Sequence, residues 1–222
     1  LPSNDLTSLL QDQMGRLWIG TQSSGIFLYD GQEFIDEPVP WEEAPANRNV
    51  QTMLEDQAGN VWIATLNGIY VKEAEGPIHV PQFETLPLQM EVYCLLEDSK
   101  DRIWMGTNQG LFRLTGDEAI QIELTGQDLP DTEVHCMSED DKGQLWLGTR
   151  KGIIRYEYGE FIPIESPGRF LDYQMKSGFV DSEGNIWFGT DGGGVRKITV
   201  GVFESYGMQD YLSSNLAKSF LE

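Results

Sequence analysis

A ten-residue pattern that occurs five times constrains this chain more than any other feature of its sequence. The pattern reads Asp-x-x-Gly-x-apolar-Trp-apolar-Gly-Thr and covers Asp12–Thr21, Asp56–Thr65, Asp98–Thr107, Asp140–Thr149 and Asp181–Thr190. Its tryptophans are spaced by 44, 42, 42 and 41 residues. A fixed period of this length indicates a repeat architecture, which has to be recognised before any local structure is assigned.

Each repeat predicts four short antiparallel strands. In the second repeat these are Val50–Glu55, Val61–Thr65, Ile69–Lys72 and a weaker strand around Ile78, separated by Gly/Asn/Asp turns. Four-stranded units at a period of about 42 residues are typical of the blades of a β-propeller. The expected fold is therefore all-β. It comprises a single propeller region over residues 1–222, with repeats at approximately 1–45, 46–87, 88–129, 130–170 and 171–211 and the first strand of a sixth at 212–222.

The recurring residues have a structural interpretation, because they return in every repeat. The aspartate is expected to accept backbone N–H groups across its turn, and the glycine three residues later to adopt a positive φ, with Asp101 in its place in the third repeat. The tryptophan should be buried, and the small residue before the threonine should leave room for it. The structural repeat residues are Asp12, Trp18, Asp56, Trp62, Asp98, Trp104, Asp140, Trp146, Asp181 and Trp187.

A column of small residues runs through the first predicted strands. It contains Ser8, Thr52, Cys94, Cys136, Ser177 and Ser219. Since propeller blades converge on an axis, this column places the first strand innermost, where space is smallest. The two cysteines are accordingly expected to be reduced and buried.

Composition excludes several classes of function. The formal net charge is -21, from 36 acidic and 15 basic residues, which argues against nucleic-acid backbones and anionic membrane surfaces as partners. No apolar run approaches the ~20 residues of a membrane span. No catalytic constellation, metal site or cofactor motif is expected, and His79 and His135 have no Cys, His or Ser partner at a telling spacing. His135 belongs to a variable polar column that could face the central channel.

The connections between repeats vary in length and sequence, and such loops on a rigid scaffold usually carry binding. Aromatic and cationic side chains in or beside them are the candidates for ligand binding in an otherwise acidic chain. They are Trp41, Arg48, Arg169 and Tyr173.

The repeat resembles the two-component regulator propeller repeat, as shown by Leu54–Tyr70, Asp181–Thr190 and the lead-in Leu1–Asn4. The resemblance implies a ring of about seven blades that forms the periplasmic sensor region of a membrane-bound bacterial signalling protein. The parent protein would be of the hybrid histidine kinase or diguanylate cyclase type.

Three functions are compatible with the sequence. The first is a non-enzymatic sensor that binds a small-molecule or glycan ligand or contacts adjacent domains of its parent protein, with self-association through exposed blade faces. The second is a propeller enzyme similar to streptogramin lyase, against which no isolated His and acid pair can be placed on one loop face. The third is a protein-interaction scaffold.

Overall fold

The computed structural model describes residues 4–35, 48–74, 76–83, 86–87, 90–116, 118–124, 132–164, 173–199, 202–210, 212–214 and 216–217. These residues form five antiparallel sheets, and each sheet contains four strands in chain order. The first two sheets contain β1 (Leu6–Gln11), β2 (Leu17–Thr21), β3 (Ile26–Tyr29) and β4 (Phe34–Ile35), then β5 (Val50–Glu55), β6 (Val61–Thr65), β7 (Gly68–Lys72) and β8 (Ile78–His79). The third contains β9 (Val92–Glu97), β10 (Ile103–Thr107), β11 (Gly110–Thr115) and β12 (Glu118–Ile122).

The last two sheets contain β13 (Val134–Glu139), β14 (Leu145–Thr149), β15 (Ile153–Glu157) and β16 (Glu160–Ile164), then β17 (Met175–Val180), β18 (Ile186–Thr190), β19 (Val195–Thr199) and β20 (Val202–Tyr206). A 3-10 turn at Met208–Asp210 is the helical element among the described residues. The all-β prediction with four strands per repeat is confirmed. No described helix has the length and apolar character needed to cross a membrane.

The chain divides into two compact units, Leu1–Asn108 with Phe112–Gln121, and Gln109–Leu111 with Ile122–Glu222. In the first unit, β1 packs beside β5 and β5 beside β9; in the second, β13 packs beside β17. Within each unit, neighbouring sheets therefore meet along their first strands. This is the arrangement expected if the first strand is innermost.

The aspartate of each repeat organises its turn, as predicted. In the first sheet, Oδ1 of Asp12 accepts the backbone N–H groups of Met14 and Arg16 at 3.1 and 2.8 Å. The other oxygen, Oδ2, accepts the indole Nε1–H of Trp18 at 2.8 Å. The same indole-to-carboxylate bond recurs in the other four sheets at 2.7–2.9 Å. This bond, which the sequence pattern did not predict, fixes the ring of every repeat tryptophan.

The fourth turn residue has the backbone conformation that the sequence predicts. Gly15, Gly59, Gly143 and Gly184 have φ between 76° and 82°, and Asp101 has φ of 58°. An L side chain is strained in this region, although Asp tolerates it better than most residues.

We expect Asp101→Gly to be neutral or stabilising, by up to about 1 kcal/mol. Glycine relieves the strain and removes a charge close to Glu97. Burial of Glu97, with the nearby charges of Asp56, Asp101 and Asp98, raises the pKa of that carboxyl. The opposing cost is an exposed hydrogen bond of 2.5 Å from Gln57 Nε2 to Asp101 Oδ1. Urea denaturation followed by far-UV circular dichroism measures the balance.

The matched control is Asp101→Ala, which loses the same carboxylate but keeps the strain of a Cβ at positive φ. It should be less stable than Asp101→Gly. Equal stability of the two variants would show that backbone strain contributes nothing at this turn.

The five repeat tryptophans are not equally buried, which corrects the sequence analysis. Trp18, Trp104 and Trp146 are buried, whereas Trp62 and Trp187 are half-buried. The guanidinium groups of Arg16 and Arg102 lie over the rings of the first and third tryptophans at 5.7 and 5.2 Å. The second sheet has Asn60 at that position, which is too short to cover its ring. Trp187 faces an open cavity described below.

The sequence predicts that the small residue before the threonine leaves room for the tryptophan, and this prediction is wrong. Gly148 lies opposite Cys136 in the β13–β14 pair. A Cβ on Gly148 would clash with the Cys136 thiol and come within 2.7 Å of Met175 Cβ in β17. The glycine therefore admits both the small side chain opposite and the first strand of the next sheet.

The two cysteines form no disulfide, as expected. Cys136 is buried, and this burial raises the pKa of its thiol. Cys94 is only half-buried, so the prediction of burial is confirmed for one cysteine and wrong for the other.

Leu216 and Ala217, where the sequence predicts the first strand of a sixth repeat, contact the fifth sheet. Leu216 forms a β-bridge with Asp191, and Ala217 donates its N–H to the carbonyl of Thr190 at 3.0 Å. A Cβ on Gly189 would lie 3.0 Å from Ala217 Cβ, and a Cβ on Gly20 would likewise meet Val50. Ala217 thus packs against Gly189 of the fifth sheet in the way that Val50 packs against Gly20 of the first. Residues 218–222 lie outside the described part.

Candidate functional site

Polar side chains pair along one side of the first strands. Residues i and i+2 of a strand point to the same face, and the pair differs from one repeat to the next. The pairs are Asn49 with Gln51, Glu91 with Tyr93, Glu133 with His135, and Gln174 with Lys176. Because the surrounding turn and packing residues recur, these variable pairs distinguish one repeat from another.

In the second unit the pairs of two neighbouring sheets join into one network. Gln174 Nε2 lies 2.9 Å from Nδ1 and 3.2 Å from Nε2 of His135. His135 Nε2 lies 3.3 Å from Glu133 Oε2, and Arg150 Nη1 lies 3.3 Å from Glu133 Oε1.

The network continues into the hairpin that joins β18 to β19. Lys176 Nζ donates to Gln174 Oε1 at 2.9 Å and lies 3.5 Å from Asp191 Oδ2. The backbone N–H of Asp191 also donates to the carbonyl of Gln174 at 2.9 Å. Two cations, two carboxylates, an imidazole and an amide are therefore coupled at the end of the sheets where the first strands begin.

Tyr173 forms an aromatic platform next to this network. A Cβ on Gly193 would lie 2.5 Å from Tyr173 Cδ2, so only glycine lets the ring lie against this hairpin. Tyr173 remains 36% exposed. Arg196 is buried behind the same surface; burial lowers its pKa, and the Tyr173 side chain partly offsets that effect. An open aromatic face beside hydrogen-bonding groups can hold a polar ligand.

The four predicted ligand-binding residues fall in different places. Tyr173 is part of the platform just described, and Arg48 is exposed in the first unit, just before β5. Trp41 and Arg169 lie outside the described residues. Sequence reasoning missed Gln174, Lys176, Asp191 and Arg150 as members of a site. The signal in the sequence that could have found them is the variable polar column that contains His135 and also Lys176.

Glu133 and His135 lie 3.3 Å apart at the start of β13. This histidine–acid contact is not isolated, because it is joined to Gln174 and Arg150. Among the residues that the structure describes, no three of His, Cys, Asp and Glu are grouped to hold a metal ion.

A cavity of about 520 Å³ opens on the fifth sheet. It is lined by Phe179, Trp187, Val195, Tyr206 and Leu212, together with Asp181 and Asp210. The ring centroids of Trp187 and Tyr206 are 5.9 Å apart in a stacked arrangement. In the first sheet the equivalent side chains Leu10, Trp18 and Ile26 pack into a core with β5 to β8. The cavity is therefore the face that other sheets use to contact the next sheet.

The family model of the two-component regulator propeller matches this chain in four segments. The matched residues are 1–23, 44–67, 86–109 and 128–151, which contain the first-strand and turn region of the first four repeats. Four segments of the chain are thus similar to the two-component regulator propeller repeat. Among curated proteins, none matches it by sequence.

Solved structures with the same fold include two extracellular domains from B. thetaiotaomicron. That of the hybrid two-component system BT3049 superposes with a TM-score of 0.75 at 21% identity, over 92% of this chain and 30% of that chain. That of the one-component system BT4673 gives 0.65 at 19% identity, over 97% and 35%. This chain therefore spans about a third of their length.

A third structure with the same fold is an enzyme. Catalytically inactive virginiamycin B lyase from Staphylococcus aureus with quinupristin superposes with a TM-score of 0.73 at 16% identity. The match covers 91% of this chain and 69% of that chain. At these identities the structures establish a shared propeller-blade fold.

Proposed function

We propose that this chain is the ligand-binding part of an extracytoplasmic sensor propeller in a bacterial two-component-type signalling protein, without catalytic activity of its own. The observation that carries the proposal is the joined network of Glu133, His135, Gln174, Lys176 and Asp191 beside the Tyr173 platform. The recurring Asp, Gly, Trp and Thr residues of the pattern serve turns and packing, whereas the groups of this network differ from repeat to repeat. The family match and the extracellular BT3049 and BT4673 domains support the location and the signalling role.

The ligand that fits this surface is a polar small molecule or a glycan. Tyr173 offers an apolar ring face, and the neighbouring carboxylates, amide and ammonium offer both donors and acceptors. The output domain of the parent protein would be a histidine kinase or a diguanylate cyclase, as in the signalling proteins that the repeat resembles.

Thermal-shift screening with oligosaccharides and polar metabolites tests the proposal. A ligand at 100 times its Kd stabilises the native state by about 2.7 kcal/mol, so a true ligand should raise the Tm of the wild type. Tyr173→Ala should abolish the shift. The matched control is Tyr158→Ala, which removes a tyrosine that is 97% exposed in the β15–β16 turn and should leave the shift intact. A shift that survives Tyr173→Ala would place the ligand elsewhere.

The specific observation that favours the lyase alternative is the Glu133–His135 pair on a fold shared with virginiamycin B lyase. The expected result is no turnover of a streptogramin B substrate by the purified chain. Turnover that disappears in His135→Ala would replace the sensor proposal with an enzymatic one.

We propose that the uncovered faces of the first and fifth sheets bind further sheets, either of additional repeats or of a second copy of this chain. Val50 and Met53 of β5 are 0% and 8% exposed, whereas the equivalent Leu6 and Leu9 of β1 are 47% and 62% exposed. Together with the cavity on the fifth sheet, these side chains present apolar surface that favours association. Light scattering should show self-association of this chain, and extension by two further repeats should reduce it. If this chain is monomeric and the two further repeats do not change its oligomeric state, these faces do not bind other sheets.

A further inference from the structure

We propose that the contact between the fourth and fifth sheets is a hinge. The two sheets are held together where their first strands begin, and they separate at the opposite end, which carries the turns of Asp140 and Asp181. The inference goes beyond ligand binding, because it assigns a motion to the sheet that carries the Tyr173 platform.

In the first unit, neighbouring sheets are joined at their turn ends by a hydrogen bond, here called the inter-sheet turn bond. The residue after the turn aspartate donates its backbone N–H to the glutamate that ends the first strand of the next sheet. Gln13 N–H donates to Glu55 Oε2 at 2.7 Å, and Gln57 N–H lies 3.2 and 3.1 Å from the two carboxylate oxygens of Glu97. Hydrogen bonds are directional, so these bonds fix the spacing of the turns.

The fourth and fifth sheets cannot form this bond. The residue that ends β17 is Val180, whose side chain has no acceptor, and the residue after the turn aspartate of the fourth sheet is Asp141. Val180 is partly buried against the apolar cluster that contains Trp146 and Ile186. Apolar packing is non-directional, so it allows the two turns to move relative to each other in a way that a hydrogen bond does not.

Two small residues replace large ones in the middle of the same contact. In the first two sheets, Leu10 and Met53 pack into one apolar cluster. The equivalent residues of the fourth and fifth sheets are Ser138 and Gly178. A Cβ on Gly178 would lie 2.9 Å from Ser138 Oγ, so the strands lie close together there but present smooth surfaces. Large side chains that interdigitate resist sliding and rotation, whereas serine against glycine offers little to interlock.

A polar contact joins these two sheets at the end where their first strands begin. The side-chain nitrogen of Gln174 lies 2.9 and 3.2 Å from the two ring nitrogens of His135. This contact holds the beginnings of β13 and β17 together, so the turn end is the one that opens. Tyr173 immediately precedes Gln174, so a link between the hinge and a ligand rests on the proposed function, whereas the hinge itself does not.

Pairs of spin labels at equivalent turn positions test the hinge, because electron paramagnetic resonance measures the spread of distances between two labels. Lys142→Cys with Glu183→Cys places exposed labels across the fourth and fifth sheets. Met14→Cys with Ala58→Cys is the matched pair across the first and second sheets. In both, the two native cysteines are replaced by serine. The first pair should show the wider distribution without any ligand, and equal widths would overturn the proposal.

Exchange of the residues at the inter-sheet turn bond separates its effect from other differences between the two contacts. Asp141→Gln with Val180→Glu supplies the bond to the fourth and fifth sheets and should narrow the distribution of their pair. Gln13→Asp with Glu55→Val removes it from the first two sheets and should widen theirs. Widths that do not follow the exchange would overturn the proposal. Should a variant fail to fold, the two widths measured without the exchange decide, and neither result bears on whether a ligand binds at Tyr173.

Discussion

Replacement of Trp104 by alanine is expected to lower the free energy of unfolding by about 3–5 kcal/mol, the range for a large buried aromatic. The Trp104 side chain is 0% exposed. Its Nε1–H donates to Asp98 Oδ2 at 2.7 Å, and the guanidinium groups of Arg102 and Arg113 lie 5.2 and 5.9 Å from its ring centroid. Alanine removes this packing and leaves a cavity between the third sheet's strands and their turn.

Two further variants separate the terms in this loss. Trp104→Phe keeps most of the apolar volume and removes the indole donor, so it should cost about 1–2 kcal/mol. Trp62→Ala removes the half-buried equivalent of the second sheet and should cost less than Trp104→Ala. Urea denaturation by far-UV circular dichroism measures all three, and an equal loss for Trp62→Ala and Trp104→Ala would show that burial does not govern this column.

Asp98→Ala should have an effect of similar size, because it leaves the buried indole and the N–H groups of the turn without their acceptor, at about 1–3 kcal/mol for each buried donor. Asp98 is 2% exposed. Its Oδ1 accepts the backbone N–H groups of Lys100 and Arg102 at 2.9 and 3.1 Å. Its Oδ2 accepts Arg102 Nε at 2.6 Å and the indole of Trp104. Four donors lose their acceptor together, and the indole is buried away from water.

The effect of Asp98→Ala should depend on pH. Burial of Asp98 favours its neutral form, but the hydrogen bonds from Arg102 and Trp104 outweigh burial and hold the pKa of that carboxyl below its usual value. A lowered folded-state pKa contributes stability that is present above the unfolded value of about 3.9 and is lost as the pH falls through the folded value. The difference between wild type and Asp98→Ala should therefore shrink below about pH 4. A difference that stays constant down to pH 2 would contradict this account.

A double-mutant cycle connects the two predictions. Asp98 and Trp104 share a buried hydrogen bond, so the double variant Asp98→Ala/Trp104→Phe should lose less stability than the sum of the two single variants. The difference should be about 0.5–3 kcal/mol, the range for contacting residues. Additive costs would mean that the indole-to-carboxylate bond contributes nothing to stability.

The sequence by itself determined the repeating part of this protein. The fixed period and the Asp, Gly and Trp columns specified five four-stranded sheets, the positive φ at Gly59 and Asp101, and the beginning of a sixth repeat at Leu216. These properties are local: a turn of five residues selects its own backbone conformation, and strands that alternate with such turns pair with their neighbours in the chain.

Only the tertiary structure decided which variable side chains meet. His135 and Gln174 are 39 residues apart and lie at different positions of their repeats, so no shared column pairs them. They meet because β13 packs beside β17, and the geometry of that packing, rather than any sequence period, sets the offset between the two strands. The unequal burial of the tryptophans has the same origin. The exposure of Trp187, for example, depends on whether another sheet covers its face, where the cavity now opens.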